Sequence, residues 1–214
     1  MTRESKLHLL MAVAVAAALL LLFGWLASEV YEGETLAFDN AVRGWIHGFA
    51  SPAATEFFRG ATFMGSTVMV VGLSIAAIAV YLYLKDRGAA MVIATIMVGE
   101  LILNNVLKDH YARTRPQPYF EYPLPSSYSF PSGHSFASFC LYITLAWLIS
   151  RRVPTPAAIA VWMAAVAIAL FVGLSRIYLG VHYPTDVLGG YLAALIWSSI
   201  VLYAYHKHRQ RSHA

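Results

Sequence analysis

Charge is the scarcest resource in this chain. Lys, Arg, Asp and Glu make up 12% of its 214 residues, against about 25% in ordinary soluble domains. Hydrophobic residues reach 59%, and mean hydropathy is +0.60. That combination excludes a soluble globular chain and places the protein in the membrane class, with room for one bundle and none for a second soluble domain. Cysteine is nearly absent. A single Cys140 excludes an internal disulfide and a multi-cysteine metal site, and its place in an apolar run marks it as a packing residue. A carboxylate cluster of the kind that holds magnesium is missing too, and no repeat or low-complexity segment stands out. The net charge of +4 comes without a continuous basic patch, because the cations sit beside apolar spans; a nucleic-acid partner is therefore not expected.

What is present is a series of apolar runs near the ~20 residues needed to cross a hydrocarbon core. They fall at about 7–27, 66–84, 88–107, 135–150, 156–174 and 187–205. They predict an all-α polytopic membrane protein, six transmembrane helices in one bundle, with 1–214 as a single membrane-embedded domain. The fourth run is short in strictly apolar terms, but Ser135 and Ser138 can bond within a helix. The first follows Arg3 and Lys6 and has a weak small-residue site at Ala27-Ser28, as a signal peptide would. Its length of about 21 residues exceeds the roughly 7–15 of a signal core, so it reads as a retained helix.

Basic residues set orientation. With the N-terminus in the cytoplasm, the inner side receives Arg3, Lys6, Lys85, Arg87, Arg151, Arg152, Lys207, Arg209 and Arg211 against only Glu4 and Asp86. The outer side receives Arg43, Arg59, Lys108, Arg113, Arg115 and Arg176 against eight acids, with Glu100 left in the membrane. Both termini are thus expected to be cytoplasmic, in a cell membrane, with 28–65, 108–134 and 175–186 outside. The histidine-bearing tail from His206 to His213 reads as a solvated anchor. Aromatic and aliphatic residues spaced through 28–65 suit short helices in the interface beside a lipid access path; packing of this loop onto the bundle accounts for them equally well.

Three polar clusters fall on the outer side. The first ends the third span: Lys108, then Arg113, Arg115 and Pro116. Lys and Arg there serve as snorkelling anchors or as phosphate ligands, the guanidinium fork matching phosphate oxygens well. The second, Pro131-Ser132-Gly133-His134, opens the fourth span. It is ordinary turn and cap chemistry, and also an anion nest made of free amides beside a side-chain-free Gly133, with His134 at hand for proton transfer. The third holds Arg176, His182 and Asp186. Its histidine and aspartate are four residues apart, close enough to pair in a turn, which would fix the imidazole tautomer and free one nitrogen to attack. Jointly the clusters form an inventory for phosphoryl transfer, with cations to neutralise oxygen charge, one histidine to attack and one to protonate the departing oxygen.

Lys108 with Arg115-Pro116 after six intervening residues, Pro131-Ser132-Gly133-His134, and Ser175-Arg176 with His182 and Asp186 resemble the three-part signature of the type 2 phosphatidic acid phosphatase superfamily. The 175–190 segment is most similar to that of its bacterial phosphatidylglycerophosphate and undecaprenyl diphosphate phosphatases. The resemblance implies a membrane lipid phosphatase in which His182 is the nucleophile, forming a phosphohistidine, Asp186 orients it and His134 is the acid. Lys108, Arg115, Ser132, Gly133 and Arg176 would hold the phosphoryl group, with no metal and no cofactor. The implied partners are the bilayer and a lipid phosphate such as phosphatidylglycerophosphate, phosphatidic acid or undecaprenyl diphosphate; the sequence carries no signal for an oligomeric state. Lipid phosphotransfer would leave the same motifs. A non-catalytic lipid-binding or transport protein with a relic site is disfavoured because both histidines remain. A vanadate-dependent haloperoxidase, which shares the anion site, is disfavoured by the six spans. Arg113 and His110 stand outside the signature and read as pocket lining. Glu100, Asn104 and Lys108 share a helix face, with Asn104 and Asn105 expected to support Lys108 and Glu100 left to packing or function.

Overall fold

The structure, a computed structural model, describes the backbone of residues 3–211 and the side chains of residues 13–207. Among these residues there are eight helices and no strand: α1 (Arg3–Glu32), α2 (Leu36–His47), α3 (Pro52–Met64), α4 (Thr67–Tyr83), α5 (Arg87–Tyr111), α6 (Gly133–Ser150), α7 (Thr155–Tyr178) and α8 (Pro184–Arg211). Short polar side chains set the starts. Ser51, Ser66, Asp86 and Ser132 each accept a hydrogen bond from a backbone amide in the first turn of the helix that follows, which satisfies a donor that an α-helix otherwise leaves unpaired.

Five helices are long and apolar enough to cross a membrane: Val13–Glu32 within α1, α5, α6, α7 and Pro184–Lys207 within α8. The remaining expected span, 66–84, coincides with α4, which is long enough to cross only if joined to α3, from which it is bent by 45°. Taken alone, α4 has only 17 residues. The bend falls at Gly65-Ser66, where Ser66 begins a new helix. A Cβ at Gly65 would stand 2.4 Å from Val172 Cγ1 and 3.3 Å from His134 Cδ2. Glycine is therefore what lets the bend sit against α6 and α7. Arg3, Lys6, Arg209 and Arg211, on which part of the expected orientation rests, lie outside the described side chains, as does the tail beyond Lys207.

The expected outer loop over 28–65 is mostly helical. α1 continues to Glu32, and α2 and α3 follow. Both readings of that segment find a place, because α2 buries Asp39 and Arg43 and α3 buries Thr62, while Phe38, Trp45, Phe49 and Phe57 stay exposed. α7 likewise runs further than its apolar stretch, so Arg176 sits in its last turn rather than in a loop.

α6 is the central helix, packed on α5, α7 and α8. Its Phe136, Cys140 and Leu141 are fully buried, and Cys140 is a core residue beside Ala194 and Ile96. At one end of the bundle the α4–α5 and α6–α7 connections meet through an Asp86–Arg152 ion pair. At the other end the C-termini of α5 and α7 meet the N-termini of α6 and α8. That junction depends on a second close approach, since a Cβ at Gly190 would lie 2.7 Å from the backbone oxygen of Ser132. Overpacking against an immovable backbone costs about 1–3 kcal/mol. Gly190→Ala should therefore lower the unfolding temperature in detergent by several degrees. Gly60→Ala, where a Cβ meets nothing within 4 Å, should leave it unchanged or raise it slightly.

Candidate active site

The chain is turned into the site by local backbone choices. Ala112 takes a left-handed conformation (φ 44°) that ends α5, so residues 113–115 cross back over the helix ends. At the other side only residues 179–183 separate α7 from α8. The result is a cavity of about 460 Å³ whose wall includes Lys108, Arg115, Gly133, His134, Arg176 and His182. Residues spread over about 75 positions of sequence thus share one surface.

His182 is 2% exposed. Its Nε2 lies 2.8 Å from Arg115 Nη1, and its Nδ1 lies 3.3 Å from Asp186 Oδ2 and 3.3 Å from Ser129 Oγ. A guanidinium can only donate, so Nε2 carries the lone pair and the ring proton sits on Nδ1, toward Asp186. Burial pushes the His182 imidazole down to about 3, Asp186 pulls it the other way, and the Arg115 and Arg176 charges add to the depression. At neutral pH the ring is uncharged and its lone pair faces the cavity. Burial and the Arg176 charge also bring Arg115 down to about 10 against the pull of Asp186, which leaves it cationic.

Asp186 is fully buried and saturated with donors. Oδ2 accepts from Ser129 Oγ at 2.5 Å and from the Tyr183 amide at 2.8 Å, and Oδ1 accepts from Arg113 Nη1 at 2.6 Å. Arg113 does not line the cavity, contrary to the sequence reading. Its other arm donates to Asp39 Oδ2 at 2.7 Å and to Thr35 Oγ1 at 3.0 Å, and Asp39 also accepts from the Thr185 amide and hydroxyl. Burial alone would pull the Arg113 guanidinium down; the charges of Asp186 and Asp39, with their hydrogen bonds, push it above its ordinary value.

The remaining motif residues divide into those on the cavity and those behind it. The Ser132 hydroxyl accepts from Ser135 N and Ser135 Oγ as a helix cap, while its amide donates to the Asp186 carbonyl at 2.9 Å. It is absent from the cavity wall. With Ser135 N capped, the first-turn amides of Gly133 and His134 remain at the end of α6 that borders the cavity. Lys108 Nζ donates to Tyr128 O at 2.6 Å and Pro131 O at 2.8 Å, so it shapes the loop as well as facing the cavity. Arg176, 1% exposed, donates to Thr62 Oγ1 at 2.6 Å. Two expectations fail. Asn105 is exposed and bonds back to Leu101 O, and His110 is exposed against Tyr111. Both point off the cavity side of α5. Asp39, Ser129 and Thr62 are not singled out as site residues by sequence, and Arg113 is read there only as pocket lining; the only signal for the three is an acid, Asp39, amid the aromatic spacing of 28–65.

Residues 89–210, more than half of the chain, match the model of the PAP2 superfamily. The chain belongs to the PAP2 superfamily. Its sequence is 30% identical over 181 residues to phosphatidylglycerophosphatase B of Bacillus subtilis, covering 84% of this chain and 89% of that protein. It is also 30% identical over 116 residues to an undecaprenyl-diphosphatase of Sulfolobus acidocaldarius, covering 52% of each chain. The crystal structure of a transmembrane PAP2-type phosphatidylglycerolphosphate phosphatase from Bacillus subtilis superposes with a TM-score of 0.82 at 30% identity, over 90% of this chain and 96% of that one. The PAP2 resemblance read from the three motifs and the all-helical membrane fold are both met.

In this PAP2 chain the Arg113 bridge generates a stability test. Removing one partner of a buried ion pair costs about 3–5 kcal/mol because the other charge is left uncompensated. Arg113→Gln should therefore lower the unfolding temperature by roughly 10 °C, at about 2–4 °C per kcal/mol for a chain of this size. Adding Asp39→Asn should recover part of that loss. A single variant that melts with the parent protein would show that the bridge contributes nothing.

Proposed function

We propose that the chain, read as one membrane-embedded domain over 1–214, is a lipid phosphatase that cleaves a phosphomonoester or diphosphate through a phosphohistidine on His182. The observation that carries this reading is the continuity of one cavity. Its polar end holds Lys108, Arg115, Arg176, His134 and His182, and its shaft runs between α4 and α5 past Val70, Val71, Ile75, Met97 and Leu101. A phosphate suits the first and an acyl or isoprenoid tail suits the second, so the molecule that fills both is a lipid phosphate. Phosphatidylglycerophosphate, phosphatidic acid and undecaprenyl diphosphate all answer to that description.

In this reading Arg115, Arg176, Lys108 and the amides of Gly133 and His134 hold the non-bridging oxygens. A phosphoryl oxygen placed beside Arg115 takes over the N–H that now faces His182, leaving Nε2 directed at phosphorus. The Nε2 lone pair forms a P–N bond as the P–O bond to the lipid breaks, and His134 gives its proton to the departing oxygen. Asp186 accepts from the Nδ1 proton and stabilises the charge that develops on the ring. Water, losing its proton to His134, then attacks phosphorus and breaks the P–N bond, releasing inorganic phosphate. Ser132 contributes by fixing the start of α6. The charge bias of the connecting segments supports the extracytoplasmic face of the cell membrane as the side where this occurs.

Phosphate release from short-chain lipid phosphates by the detergent-purified chain tests the reading. His182→Ala should lower kcat by ~10³-fold or more, as loss of a covalent nucleophile does, and His134→Ala by about 10²–10⁴-fold. EDTA should leave the parent rate largely intact. Equal rates for His182→Ala and the parent would refute the assignment.

A further inference from the structure

The shaft of the cavity is not apolar throughout. α5 places Asn104 one turn and Glu100 two turns from Lys108 on the same wall. Glu100 is 5% exposed and has no hydrogen-bond or ion-pair partner among the described residues. Asn104 Oδ1 is buried without a hydrogen-bond partner. The Asn104 amide lies against the first residue of α6, because a Cβ at Gly133 would stand 3.0 Å from its Nδ2. It thus adjoins the phosphate end of the cavity.

An amide and a carboxyl group left unpaired among Val, Ile, Leu and Met side chains are costly within a membrane span. Packing does not explain them, since neither bonds to a neighbouring helix. Their chemistry describes what would satisfy them. Amide and carboxyl oxygens accept, and the amide nitrogen donates, which suits a neutral hydroxyl-bearing unit. A second phosphate would bring further acceptor oxygens and negative charge against the same wall. Spacing agrees, because one helical turn separates Asn104 from Lys108 by ~6 Å along the axis, about the reach of a hydroxyl on the carbons next to a phosphate ester.

We infer that Asn104 and Glu100 form a subsite for the glycerol unit adjoining the scissile phosphate, so that the chain selects glycerol-bearing lipid monophosphates over phosphates whose tail lacks those oxygens. The inference rests on the lipid phosphatase reading above and adds to it the part of the substrate that is recognised.

The test compares lauroyl lysophosphatidic acid with dodecyl phosphate, which share a phosphomonoester and a twelve-carbon tail and differ in the glycerol. The parent chain in detergent should favour the glycerol compound in kcat/KM by about tenfold, the effect of one or two hydrogen bonds to a substrate hydroxyl. Asn104→Ala should bring the ratio of the two values to about one, and Glu100→Gln should reduce it partly. A parent ratio near one would overturn the subsite while leaving the phosphatase reading intact. So would a parent preference that survives in Asn104→Ala because both values fall together. Phosphate release from neither compound by the parent chain would instead overturn the phosphatase reading, and the subsite with it.

Discussion

One buried cation holds the polar end of this bundle together. Arg113 lies between two carboxylates that are both fully buried, Asp39 on α2 and Asp186 on α8. An arginine inserted alone would leave a buried charge, and either carboxylate alone would do the same; the triple leaves one net negative charge, which the Ser129 and Thr185 hydroxyls and the Tyr183 and Thr185 amides share as donors. The bridge ties the segment after α5 to α2, whose Asp39 also anchors the start of α8 through Thr185. Asp186 can then remain ionised with a donor on every side, which fixes the direction it presents to His182.

The rest of the site follows from that fixed point. The Asp186 carbonyl accepts from the Ser132 amide, so α8 also positions the start of α6 and with it the free amides of Gly133 and His134. Nδ1 of His182 faces Asp186 and Ser129, and Nε2 is left with its lone pair toward Arg115. Cations crowd the cavity wall, yet among the described residues none of them pairs with a carboxylate there. Lys108 and Arg115 are held by backbone carbonyls and Arg176 by a hydroxyl. Their positive field is therefore available to an incoming anion, while Arg113, paired with two carboxylates, stands behind the histidine.

Sequence spoke clearly where chemistry and spacing coincide. The long apolar runs announced the spans, and Lys108, Arg115, His134, Arg176 and His182, read from three separated motifs, share one cavity wall. Two kinds of feature escaped. Helix ends were drawn too short, because an apolar run marks where hydrocarbon stops and a helix can continue beyond it, as α7 does through Arg176. The α3–α4 bend was similarly hidden, since Gly65 matters only through its contact with Val172 and His134. The second kind is a partner supplied from far away. Asp39 is 147 residues from Asp186, and no local pattern links an acid in an aromatic-rich segment to an arginine read as pocket lining. Side-chain direction also divided Asn104 from Asn105, adjacent residues of which only the first faces the cavity.

The central chemical claim is that His182 Nε2 bonds to phosphorus, and trapping that bond tests it most directly. Rapid acid-free quenching of the chain with a ³²P-labelled lipid phosphate, followed by peptide mapping, should find base-stable, acid-labile phosphate on His182. Turnover with no covalent phosphate, or with the label on another residue, would contradict the account.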